Sequence, residues 1–261
     1  MPISVSAFIR LPVIALATGL ALGGCQQTLT TGSISKQAAP AQGSQEQLQK
    51  AAALQKRFKK DPGNTQVALA FSESLNELGR TEQAVMVLER ASNENSGDPR
   101  LQSAYGRAML KAGNPSDAIV ALEKASQAGD TSAPILSAQG AALDQLGRNE
   151  EARERYKMAL AKDPDNPSIL ANLGLSYALS NKIDDTELTL RRAANYPAAD
   201  PKVRQNLVLV LALQGKFAEA EDFASQDLPP EDVRVNMAYL KQMMKSPDRW
   251  QKLKNIDGAT G

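Results

Sequence analysis

The chain of 261 residues has no histidine and one cysteine, Cys25. Without imidazole there is no Ser-His-Asp relay and no His-ligated metal. A lone cysteine excludes an internal disulfide and leaves one soft nucleophile. No glycine-rich phosphate loop, GxSxG elbow or EF-hand loop occurs in the sequence. Carboxylates remain, and the dense groups are Glu150-Glu151 and Asp184-Asp185 with Glu187. A carboxylate-dependent hydrolase would have to use these. Both groups open expected helices, however, where acids complement the helix dipole. The balance favours a binding protein over an enzyme, with no metal, cofactor or small-molecule substrate. The charges are 30 basic against 29 acidic and aromatics make up 4%. Neither figure suits a nucleic-acid binder, which needs a basic surface or stacking platforms.

The elements that position these groups follow one period. Gly79, Gly113, Gly147, Asn181 and Gly215 stand 34 residues apart. Seven residues before each mark come Ser72, Gly106, Gly140, Gly174 and Val208. Nine after come Leu88, Leu122, Tyr156, Leu190 and Ala224. Five after stand Ala84, Ala118, Ala152, Thr186 and Ala220. A repeat of this length is the signature of stacked helix-turn-helix units. Each mark ends a first helix in the left-handed conformation, which glycine adopts freely and asparagine tolerates. The small residues mark close helix crossings. Twelve after each mark come Ala91, Ala125, Ala159 and Ala193, and Asp227 breaks that run in the fifth unit, as befits a terminal unit.

Flanking segments complete the array. Residues 44–62 compose a half-repeat helix ended by Pro62, with Lys56, Arg57, Lys59 and Lys60 at the end that cations favour. The repeats run over 63–228. Asp98-Pro99 and Asp200-Pro201 read as helix caps followed by first-turn prolines. Pro229-Pro230 opens a capping segment, 229–245, with Val233, Met237, Leu240 and Met244 on one face. A tail, 246–261, carries the lone tryptophan, Trp250.

The N-terminus reads as a targeting segment. Leu11 to Leu22 is an uncharged, mostly apolar run, too short for a spanning helix of roughly 20 residues. It leads into Leu22-Gly23-Gly24-Cys25, which resembles the bacterial lipoprotein box. That resemblance implies a signal peptide over 1–24, acylation of Cys25, and anchoring by several acyl chains. Gln26 stands where aspartate would retain a lipoprotein at the inner membrane, so the same resemblance implies the periplasmic face of the outer membrane. Loss of Arg10 with the signal peptide leaves 29 charges of each sign. Residues 25–43, rich in Gln, Thr, Ser and Ala, read as a flexible tether with a reach of about 24 Å.

The marks and their surroundings resemble the tetratricopeptide repeat. The fold this implies is all-α: a right-handed superhelical solenoid of about five repeats, with the N-terminal half-repeat and C-terminal capping helix described above. The resemblance also places a partner-binding groove along the first helices. At its charged end stand Leu69, Glu73, Asn76 and Glu77, then Arg107 and Lys111. At its apolar end stand Asn172, Leu175, Leu179, Asn206, Leu209 and Leu213. Ser103, Ala141 and Leu175 replace the cations of a carboxylate clamp, so capture of a C-terminal carboxylate is not expected. Two occupants of the leucine stripe stay open. One is an apolar segment of a partner, and the other is this chain's own helix from Val233 to Met244.

The lipoprotein box, tether, repeats and a C-terminal VRVNMAYLKQMM…PDRW segment together resemble the tetratricopeptide lipoproteins of tight-adherence (Flp-type) pilus systems. The resemblance implies a scaffold in assembly of the pilus secretion apparatus, with the secretin or other components of the Tad apparatus as partners. A scaffold for peptidoglycan hydrolases or for outer-membrane protein assembly is the alternative.

Overall fold

The computed structural model describes residues 42–245. Cys25, the signal peptide, most of the tether and the tail with Trp250 lie outside the described residues. Within them the chain forms a run of helices. Helix α1 (Gln42–Lys60) precedes five helix pairs. These are α2 (Thr65–Glu77) with α3 (Thr81–Glu94), α4 (Pro99–Lys111) with α5 (Pro115–Gln127), and α6 (Ala133–Gln145) with α7 (Asn149–Lys162). They continue with α8 (Pro167–Leu179) and α9 (Ile183–Ala194), then α10 (Pro201–Leu213) and α11 (Phe217–Ala224). Helix α12 (Pro230–Met244) closes the series.

Each pair turns on its mark. Gly79, Gly113, Gly147 and Gly215 have φ between 71° and 79°, and Asn181 has φ 56°. The turn is a Schellman cap in every unit. In the first, Gly79 N–H donates to the Asn76 carbonyl at 3.0 Å and Arg80 N–H to the Leu75 carbonyl at 2.8 Å. The orphan carbonyls at the end of the first helix are thereby satisfied. The other end is fixed as well. Asn64, Asp98, Asn166 and Asp200 cap the first helices through their side chains, and a proline follows three of them.

The two helices of a unit cross where one side chain is missing. A Cβ on Gly106 would lie 2.6 Å from Leu122 Cγ, one on Gly140 2.6 Å from Tyr156 Cε1, and one on Gly174 2.9 Å from Leu190 Cγ. The facing Leu122, Tyr156 and Leu190 are completely buried. The fifth unit reverses the sizes: Val208 stands on the first helix and Ala224 on the second, both buried. The same volume is filled from the opposite side, so the crossing survives the departure from pattern.

Stacking of units builds the core as three successive clusters. Phe58, Phe71 and Leu101 anchor the first, Leu136, Tyr156 and Ile169 the second, and Leu207, Leu211 and Leu240 the third. First helices of consecutive units approach one another, α2 to α4, α4 to α6, α6 to α8 and α8 to α10, and second helices do so less. The first helices therefore form the inner side of the curve. Helix α11 has eight residues against 12 to 14 in the other second helices. Helix α12 packs on α10 and α11 and places Val233, Met237, Leu240 and Met243 in the last cluster. The fourth packed residue is Met243, and the expected Met244 is half-exposed. At 3.6 residues per turn Met244 falls nearer the face of Val233, Met237 and Leu240 than Met243 does, so the helical period alone does not account for the exchange.

Candidate interaction surface

Helices α8 and α10 are adjacent first helices, and together they carry the six residues expected in the groove. The structure divides them. Leu175 is 3% exposed and Leu209 8%, so the chain itself closes over both. Their expected availability to a partner is corrected: the first helices lie close enough to cover the middle of each other's inner faces. Asn172, Leu179 and Leu213 stay half-exposed. Asn172 Nδ2 donates to Ser137 Oγ at 3.4 Å, which links α8 to α6. Asn206 is buried, and its side-chain carbonyl has no protein hydrogen-bond partner. An unpaired buried acceptor costs about 1–3 kcal/mol, and at 4% exposure Asn206 is as closed to a partner as Leu175 and Leu209, so its expected place in the groove is corrected with theirs. Toward the first units the inner side is polar. Glu73, Glu77, Arg107 and Lys111 are exposed there, and Lys50 of α1 reaches Glu77 at 3.3 Å.

The capping helix packs on α10 and α11. Its Met237 and Leu240 surround one small pocket with Val208 of α10 and Phe223 and Ala224 of α11, at the end of the stack. Of the two occupants considered for the leucine stripe, α12 is placed as a cap over the last unit.

Two polar networks brace the wall behind the groove. Asp144 on α6 is buried and accepts from Ser176 Oγ at 2.7 Å, Asn149 Nδ2 at 2.8 Å and Tyr156 OH at 3.1 Å. Burial pushes the Asp144 carboxyl up, and these three donors act against the rise. Next to it, buried Arg153 donates to Ser180 Oγ at 2.8 Å and lies 5.4 Å from the Tyr177 ring centroid. Neither cluster was visible beforehand, because partners such as Asp144 and Ser176 are 32 residues apart and on different helices. The second network joins α9 to α11. Glu187 accepts from Lys216 Nζ at 2.6 Å and Arg191 Nε at 2.9 Å, and Arg191 also pairs with Glu219. Burial works to raise the Glu187 carboxyl, but the hydrogen bonds from Lys216, Arg191 and Gln214 lower it to about 2.

The acid groups weighed for catalysis are spread apart. Glu151 pairs with Arg148 at 2.6 Å, Glu150 lies exposed at the start of α7, and Asp184 and Asp185 lie exposed at the start of α9. Among the described residues no three His, Cys, Asp or Glu side chains gather as a metal site, and no helix is long and apolar enough to cross a membrane.

Comparison with known proteins agrees with this architecture. A family described as tetratricopeptide repeat matches residues 44–108 and 77–142, and one described as TPR repeat matches 140–180. None of the curated proteins compared with the chain matches it. Among solved structures, a thermophilic TPR protein of Thermus thermophilus is 25% identical, with a TM-score of 0.58 over 68% of this chain and 99% of that one. MamA is 20% identical, with a TM-score of 0.51 over 58% of this chain and 88% of that one. YrrB, described as a TPR protein with an unusual peptide-binding site, is 16% identical, with a TM-score of 0.51 over 72% of this chain and 99% of that one. The turn residues, the small-against-large crossings and the family match agree: the chain belongs to the tetratricopeptide-repeat family, whose members generally mediate protein–protein interactions.

Proposed function

We propose that the chain is a lipid-anchored, non-enzymatic scaffold of the bacterial envelope. Acylated Cys25 holds it on the periplasmic face of the outer membrane, and the inner side of α8 and α10 binds a segment of a partner. The observation that carries this reading is that Asn172, Leu179 and Leu213 stay half-exposed on the inner side of two adjacent first helices. Half-exposed leucines give a partner apolar area. Half-exposed Asn172 gives a partner's backbone a polar side chain to bond. The order of lipoprotein box, tether and repeats supports the membrane anchor. The same order, with the C-terminal segment from Val233, supports the finer reading: a TadD-like lipoprotein that helps a tight-adherence pilus secretin assemble or localise.

The test is capture of the secretin from solubilised membranes by the full lipidated chain. Leu179→Ser with Leu213→Ser should reduce capture about tenfold per buried leucine, on the order of 1–2 kcal/mol each, with an unchanged melting curve. Full capture by that double variant removes the groove. Capture of other envelope proteins without the secretin removes the pilus reading. A Cys25→Ser protein that still fractionates with the outer membrane removes the anchor.

A further inference from the structure

The outer side of the array carries a row that the inner side does not explain. Seven large apolar side chains are exposed among the described residues. Three of them occupy one register position, seven residues after the turn: Met86 at 66%, Val120 at 51% and Leu188 at 71%. They stand on α3, α5 and α9, which are second helices and so belong to the outer side. Each of these helices already buries a separate apolar face, Ala84, Val87 and Leu88 in the case of α3. The fold therefore has no use for the row, and scattered exposure does not account for three residues in one register. Glu154 and Asp222 hold the same position on α7 and α11.

Acids bracket the row. Glu82 and Glu89 lie one turn either side of Met86, Asp117 and Glu123 of Val120, and Asp184 and Asp185 lie before Leu188. All six are exposed and none is in an ion pair among the described residues. The cations one turn beyond the row are mostly engaged elsewhere. Arg90 lies 6.0 Å from the Phe58 ring centroid, and Arg192 donates to the Pro164 carbonyl at 2.9 Å. Only Lys124 of that set is left beside the carboxylates. Such a surface repels anionic lipid and attracts a segment that offers both apolar and cationic side chains.

We propose that Met86, Val120 and Leu188, with their flanking carboxylates, form a second docking surface for a cationic amphipathic segment of a partner protein. It is separate from the groove on α8 and α10 and stands if that groove fails. A photo-crosslinking residue is placed at 86, 120 or 188, one at a time, in the full chain in its own cells, and the joined peptide is sequenced by mass spectrometry. All three positions should join one segment rich in lysine or arginine with interspersed apolar residues. Met86→Asp with Leu188→Asp, both at highly exposed places, should cut the adduct at position 120 at least tenfold with an unchanged melting curve. Leu179→Ser with Leu213→Ser should leave it intact. Adducts with lipid, with a second copy of this chain or with an acidic segment overturn the proposal. So does the absence of any adduct, or an adduct at 120 that is indifferent to the aspartates.

Discussion

Between Gly140 and the ring of Tyr156 there is room for a hydrogen atom and no more. A Cβ would meet three ring carbons at 2.6 to 2.9 Å, and Tyr156 has no freedom to retreat, being completely buried with its hydroxyl on Asp144. Gly140→Leu should therefore destabilise the protein by about 1–3 kcal/mol or more, read from urea or thermal unfolding. The natural reversal at Val208 and Ala224 shows that the crossing needs one large and one small residue, in either order. Gly140→Val combined with Tyr156→Ala should accordingly cost less than the sum of the two single changes. Strict additivity in that double-mutant cycle would mean that the two sites do not share a volume. The pairing is written in the sequence at fixed offsets from each turn. The reversal reads there as a mismatch, because only contact between the two helices shows that volume is conserved.

At the scale of the element, charge joins α9 to α11 through Glu187, Lys216, Arg191 and Glu219. The Glu187 carboxyl falls from an ordinary 4.5 to about 2 on folding. Its contribution is present above pH 4.5 and is lost as pH falls toward 2, because the folded state then binds a proton it resists. Glu187→Gln should lower the melting temperature near neutral pH, and the gap to the parent chain should narrow between pH 4.5 and 2. A gap that is constant with pH would show that the carboxylate's charge is not what stabilises the joint. Helix α12 is an element of a different kind, with four apolar side chains seated on the last unit. Deleting residues 231–261 should uncover Val208 and Ala224, lower the melting temperature and promote aggregation, while capture through the groove gains nothing. Stronger capture after deletion would show that α12 competes with the partner. The apolar spacing of Val233, Met237 and Leu240 announced this helix. Its seat was not legible, because a cap and a groove occupant need the same amphipathic pattern.

Across the whole molecule, whatever recurs every 34 residues was legible: the left-handed turns, the crossings and the division into first and second helices. What depends on distance between units was not. Closure over Leu175 and Leu209 follows from how closely α8 and α10 approach, and Asp144 finds its donors on two other helices. The outer row at Met86, Val120 and Leu188 was not legible either, because Glu154 and Asp222 interrupt its register and spacing alone does not distinguish a buried register from an exposed one. Because each unit packs on its neighbours in sequence, contacts stay local along the chain. Local contacts need little loop closure and favour rapid folding. A chain delivered from its N-terminus thus finds every unit's packing partner already in place. Tyr156 arrives 16 residues behind Gly140, and Met243 arrives last, onto a surface that α10 and α11 have finished. Such a molecule folds in the order in which it emerges and never waits on its far end.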